Sequence, residues 1–237
     1  MRAAARARPH LVAQVVPSPF TLGVDRTVKR LIAEGYLGDV LGVEVRAGGT
    51  FLDADAPLHW RQDFDLSGYN VMTLGIWYEA VMRWIGEATR LTAMGRTFVR
   101  TRRDAAGAMR AVRVPEHVDV LAEMACGAQA HFLVSSAAGL LGPAELWLFG
   151  SRGTLRFASE RLCGGRRGDA SLEEIGIPAE EAGGWRVEDE FVNAIRGKET
   201  VTHTTFDDGV KYMDFTEGVA RSMAHGKAVA LPLVPGD

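Results

Sequence analysis

From Arg90 to Ala158 one strand-like run follows another with nothing helical between, and that succession limits the fold more than any other feature. Arg90–Thr101, Glu116–Cys126, Gln129–Ala137, Ala144–Gly150 and Gly153–Ala158 are rich in β-branched and aromatic residues, with Gly or Pro between them. Cys126-Gly127-Ala128 reads as a tight turn between neighbouring strands, and Thr101–Arg110 as an exposed hairpin tip. Val40–Ala47, alternating Val43 and Val45 with Glu44 and Arg46, is an earlier strand; Leu172–Ile177 and Ala228–Leu233 are later ones.

Helical periodicity frames these strands. Val24–Ala33 carries Val24, Val28, Leu31 and Ile32 on one face and stops at Gly35; Trp185–Ile195 and Asp207–Ala224 close the chain. The longest pattern is Ser67–Gly86, where Val71, Leu74, Trp77, Val81 and Ile85 form a stripe, Ser67 precedes as an N-cap and Gly86 stops the helix. The expected class is α+β: a large, mostly antiparallel open sheet with helices packed on one face. Apolar residues fall on both strand alternations (Leu121, Met124, Phe132, Val134, Leu146, Leu148, Phe149), so the bare face is expected to pair with a second copy about a twofold axis, as a homodimer. Ahead of this domain, assigned to residues 17–237, the Ala/Arg-rich Met1–Arg8 and the apolar Leu11–Val16 read as a helix and a buried strand. Residues 1–16 thus read as the tail of a doubly wound sheet. A lone strand leaves unpaired edges, so this one is expected to borrow a partner.

Composition removes several function classes. A net charge of −3, with 47% hydrophobic and 24% charged residues, offers no long-range attraction to nucleic acid or to an anionic membrane. Arg2, Arg6 and Arg8, and Arg100, Arg102 and Arg103, cluster without interleaved aromatics and read as solvated surface. Two cysteines, Cys126 and Cys163, are too few for a disulfide framework or a zinc site, which points to a cytoplasmic protein. No run reaches the length of a membrane span.

At the start of Ser67–Gly86, Asn70, Thr73 and Trp77 lie at i, i+3 and i+7 and project from one side. Plain core packing is the commoner meaning of such a face. Lining a pocket is the other, with Trp60 and Trp77 stacking on a ring, Arg61 offering forked donors, and Asn70 and Thr73 hydrogen-bonding. That lining suits a sugar-like ligand. His59 is a further contact candidate, against the reading of a solvated loop histidine. Glu79 and Arg83, at i and i+4, read as a modest surface or edge pair. His117 and Asp119 share a strand face as two metal ligands could, but no third ligand can be placed, and no metal site is expected. His131, His203 and His225 show no grouping. No glycine-rich turn follows a strand and opens a helix; Gly164–Ala170 reads as a flexible loop, so no cofactor is assigned to this chain. Neither a G-x-S-x-G elbow nor H-E-x-x-H is present, and no catalytic residue is assigned.

The order of several motifs resembles the glucose–fructose oxidoreductase/inositol dehydrogenase (Gfo/Idh/MocA) family. Lys29 to Gly38 is similar to its linker into the second domain, Trp60-Arg61-Gln62-Asp63 to a W-R-x-D signature, and Arg83-Trp84-Ile85-Gly86 to the end of its central helix. Gly68 and Gly75 hold glycine positions of that helix, Ser151-Arg152-Gly153 is similar to a late turn, and Thr205 to Val229 to the way members end. The resemblance implies that residues 1–16 are the residual helix and strand of a truncated dinucleotide-binding (Rossmann) domain, followed by the substrate-binding and oligomerisation domain of an oxidoreductase that uses NAD or NADP on sugars or polyols. It also implies that the family's acid and catalytic histidine fall on Thr73 and Trp77, and a later acid on Ala80. The chain alone is therefore expected to be inactive; the alternative is a non-catalytic binding or assembly protein that keeps the fold.

Overall fold

A computed structural model describes residues 1–234. The chain opens with α1 (Arg2–Arg6) and α2 (Asp25–Ala33), then β1 (Val40–Gly49), α3 (Phe64–Ser67) and α4 (Leu74–Ile85). β2 (Ala88–Arg96) follows, then a separate hairpin of β3 (Thr101–Arg103) and β4 (Met109–Ala111). The main strands continue as β5 (His117–Met124), β6 (Gln129–Gly139), β7 (Glu145–Gly150), β8 (Gly153–Ala158), β9 (Arg161–Arg166) and the two-residue β10 (Glu173–Glu174). Two helices, α5 (Val187–Ile195) and α6 (Phe206–His225), and the short β11 (Val229–Ala230) close the described chain. The nine-stranded sheet has the order β10-β9-β8-β7-β1-β6-β5-β2-β11. All neighbours are antiparallel except β1 and β6. The expected α+β class is what folds; residues 235–237 of the expected second domain lie outside the described residues.

Alternation sorts the strands into a helix-facing side and an open side. Val43, Val45, Val118, Val120, Phe132, Leu146 and Leu148 are buried towards the helices. Tyr78 of α4 stacks on Phe215 of α6 at 3.7 Å, and Phe132 of β6 meets both rings edge-on. The Tyr78 hydroxyl accepts from the Ala88 N–H at 2.9 Å, and burial pushes its pKa up to about 12, so it stays a neutral core group. Of the apolar residues expected on both faces, Met124, Phe132, Val134, Leu146 and Leu148 are buried on the helix side, while Leu121 and Phe149 remain partly exposed. The open face is more polar than the sequence pattern implied: Glu44, Arg46, Asp119, His131 and Arg156 share it.

α6 has a complete start and stop. Thr205 and Asp208 form a reciprocal capping box, and Gly226 takes the left-handed C-cap. α1 gains the partner that its shortness requires, with Arg6 Nη2 lying 2.6 Å from Asp207 Oδ1.

Leu11–Val16, expected as a buried strand, belongs to no sheet, and Leu11 and Val16 are exposed. Val15 exchanges two backbone hydrogen bonds with Thr204, at 2.9 and 3.2 Å, so the borrowed partner is a loop of the same chain. A hydrophobic run becomes a strand only beside a neighbour of matching length, and the backbone of this run pairs with a single residue. Gly164–Ala170 is also corrected. Gly164 and Gly165 lie in β9, where a Cβ on Gly164 would come within 2.6 Å of Ile175 and 2.7 Å of the Tyr36 hydroxyl. Among the described residues no helix is long and apolar enough to cross a membrane.

Candidate functional site

The central helix begins later than its apolar stripe suggested. Gly68 turns the chain at φ 59° after α3, and regular helix starts at Leu74. Between them the backbone is held by side chains. Asn70 Oδ1 accepts the Gly75 N–H at 3.0 Å, capping α4 from a distance, and Ser67 Oγ donates to the Asn70 carbonyl at 2.9 Å. Met72 sits at φ 51°, a costly conformation for this side chain, and its carbonyl accepts from Arg61 Nη1 at 2.9 Å. The Arg61 guanidinium lies over the Trp60 ring at 4.2 Å, and burial draws its pKa below the usual arginine range. His59 Nδ1 accepts the Arg61 N–H, capping the short turn Trp60–Gln62.

A cleft of about 740 Å³ opens beside this braced segment. Trp77 and Phe20 form an aromatic wall, ring centroids 4.9 Å apart, with Trp77 only 4% exposed. Thr50, Thr73, Ser135, Ser136, Ser159 and Glu160 also line it. Of the residues singled out in the sequence, Thr73 and Trp77 line the cleft. Trp60, Arg61 and Asn70 do not: Arg61 and Asn70 hold the loop that leads into Thr73, and the Trp60 ring packs against the Arg61 guanidinium. Glu160 was missed because it sits in a turn without turn-forming residues.

Behind α4 lies a charge network that sequence spacing did not reveal. Arg83 Nη1 contacts Glu79 Oε1 at 3.1 Å, Nη2 donates to Thr21 Oγ1 at 2.7 Å, and Nε stands 2.8 Å from Asp25 Oδ2 without hydrogen-bond alignment. Trp84 Nε1 donates to the other Asp25 oxygen at 2.7 Å, while Glu79 accepts from the Ser18 N–H and the Thr204 hydroxyl. The expected modest surface pair of Glu79 and Arg83 is thus buried, with side-chain exposures of 7% and 8%. His203 is next to this network. Burial first, then the charges of Arg83 and Lys29, hold its pKa below the ordinary histidine value. A base with a folded pKa below its unfolded one binds its proton more tightly in the unfolded chain. Stability should therefore rise with pH up to about 6.5 and fall as pH drops through that window. Urea midpoints from pH 5 to 7 should show this slope, and His203→Gln should flatten it; an unchanged slope in the variant would refute the assignment.

On the open sheet face, His131 joins the pair expected from spacing. His117 Nε2 and His131 Nε2 lie 2.8 and 3.0 Å from the two Asp119 oxygens. Burial raises the Asp119 pKa, but the bonds from His131 and then His117 outweigh it and the carboxyl ends below its usual range. Among the described residues no three such groups are arranged to hold a metal ion. The glycine-rich 164–168 stretch runs from strand through turn to strand, without the following helix whose N-terminus would cradle a pyrophosphate. These residues do not fit a dinucleotide.

Residues 26–156 match the profile of the GFO/IDH/MocA C-terminal domain. The chain belongs to the Gfo/Idh/MocA family. No curated protein matches it in sequence. Among solved structures, an oxidoreductase domain protein from Kribbella flavida is similar at a TM-score of 0.83 and 20% identity, over 98% of this chain and 70% of that one. Levoglucosan dehydrogenase in complex with NADH and levoglucosan gives 0.75 and 18%, over 95% and 68%. The WlbA dehydrogenase from Bordetella pertussis, in complex with NADH and UDP-GlcNAcA, gives 0.74 and 16%, over 98% and 67%. These likenesses establish a shared fold.

Proposed function

We propose that this chain is the substrate-holding and pairing domain of an NAD(P)-dependent oxidoreductase acting on sugar-like or polyol substrates. The nucleotide would be held by a unit outside these residues, so the chain by itself performs no hydride transfer. The observation that carries the reading is the cleft at the start of α4, lined by the paired rings of Trp77 and Phe20 and by hydroxyl-bearing residues. An aromatic face takes the apolar side of a sugar ring while hydroxyls exchange hydrogen bonds with its rim. In this reading Thr73 and Trp77 touch the ligand, and Trp60, Arg61 and Asn70 hold the wall in place. Two solved dehydrogenases that share this fold carry NADH together with levoglucosan or UDP-GlcNAcA, which supports the substrate class. The open sheet face, with Leu121 and Phe149 exposed among charged residues, is the surface for pairing with a second copy.

Thr73 and Trp77, standing where the resemblance implies an acid and a histidine, favour a second reading: a binding or assembly protein that keeps the fold without the chemistry. The first reading requires ligand uptake. Titration with glucose, sorbitol and levoglucosan should change tryptophan fluorescence saturably in a sedimenting dimer, and Trp77→Phe should remove most of the signal. A flat response to all three removes the cleft as a sugar site; a monomer at every concentration removes the pairing surface.

A further inference from the structure

We infer that Glu160 sets the charge selectivity of the cleft, favouring polyols that carry a protonated amine and turning away those that carry a carboxylate. The inference rests on the reading of the cleft as a sugar site and deepens it.

Ser159 and Glu160 are the two residues between β8 and β9, where Ala158 pairs with Arg161. Both have positive φ, 50° and 62°. Two-residue hairpin turns of this kind are ordinarily Asn-Gly or Gly-Gly, because those residues occupy the left-handed region with little strain. Here a hydroxyl and a carboxylate occupy it, and both line the cleft. Strain at a site lined by polar groups is a reason to ask what the side chains do there.

Among the described residues lining the cleft, Glu160 is the one ionisable side chain; the rest are apolar, hydroxyl-bearing or glycine. Its carboxylate has no hydrogen bond or ion pair among the described residues. The nearby arginines are engaged elsewhere: Arg161 is paired with Glu174, and Arg156 donates to Glu145 at 2.9 Å. A ligand therefore meets one negative charge and no protein cation. An ammonium on the ring finds a charge-assisted acceptor, whereas a carboxylate meets a like charge with nothing to neutralise it. Glu160 is exposed, so water screens the effect. The expected discrimination is about fivefold, the scale of a single solvent-accessible charge pair.

Calorimetric titration of the whole chain with glucosamine, glucose and glucuronate, at mildly acidic pH where the amine is protonated and the carboxylates are ionised, tests this. Glucosamine should bind more tightly than glucose, and glucuronate more weakly. Glu160→Gln should bring all three within about twofold of one another, and added salt should compress the wild-type differences. Glu160→Asn, which suits the turn, separates loss of charge from loss of fold and should behave as Gln does. Equal affinity of the wild type for glucosamine and glucuronate, or an unchanged order in both variants, overturns the role of Glu160 and leaves the sugar cleft standing. No heat with any of the three overturns both.

Discussion

Arg83→Met should lower the stability of this protein by about 3–5 kcal/mol, read as a shift in the urea midpoint at unchanged slope. The loss comes less from the guanidinium's own bonds than from what it leaves behind. Asp25 and Glu79 are both buried, and without Arg83 two carboxylates face each other's field with no cation between them. Adding Asp25→Asn and Glu79→Gln to Arg83→Met should recover much of the loss, because the remaining partners (the Thr21 and Thr204 hydroxyls, Trp84 Nε1 and the Ser18 N–H) bond equally well to amides. A cost below about 1 kcal/mol, as for exposed pairs, would mean that water reaches the network and that its burial has been misjudged.

Glu116→Ala should have an effect of similar size, about 3–5 kcal/mol, with a different spatial signature. Glu116 is 1% exposed. One of its oxygens accepts from Arg102 at 2.7 Å and Gln62 at 3.2 Å, and the other from the N–H groups of Phe98 and Val99, both at 2.9 Å. Arg102 in turn donates to the carbonyls of Asp53 and Ala56. One carboxylate therefore ties the β3–β4 hairpin and the loop after β1 to the turn bearing Trp60 and Arg61. Truncation orphans a buried guanidinium and two amides together. Hydrogen exchange should accelerate jointly at residues 53–62 and 98–103 while the Tyr78–Phe215 core stays protected; acceleration confined to the hairpin would disprove the coupling.

Both predictions depend on residues whose meaning the sequence concealed. Glu79 and Arg83 could be seen at helical spacing, but Asp25 and Thr204 could not be placed beside them, and an isolated pair of that spacing is ordinarily a surface feature. The turn at Ser159 and Glu160 escaped because turn chemistry is read from Gly and Asn, and this turn uses neither. The glycines of 164–165 suggested flexibility, whereas in β9 their lack of a side chain makes room for Ile175, Tyr36 and Leu172. In the central helix the stripe of Val71, Leu74, Trp77 and Val81 was legible and is buried, yet its first turn was misplaced. The actual start depends on Gly68, Asn70 and Arg61 acting together.

Period-two and period-3.6 patterning, with the turn and cap residues between, was enough to determine a helix-backed sheet of mainly antiparallel strands. Those signals are local, and burial of one face enforces them wherever the chain folds. Tertiary structure alone decided that β1 lies between β6 and β7, which charges are buried, and which side chains share the cleft. Each of these depends on residues far apart in sequence meeting in space, and the free energy of burying or pairing a group exists only once its neighbours have arrived.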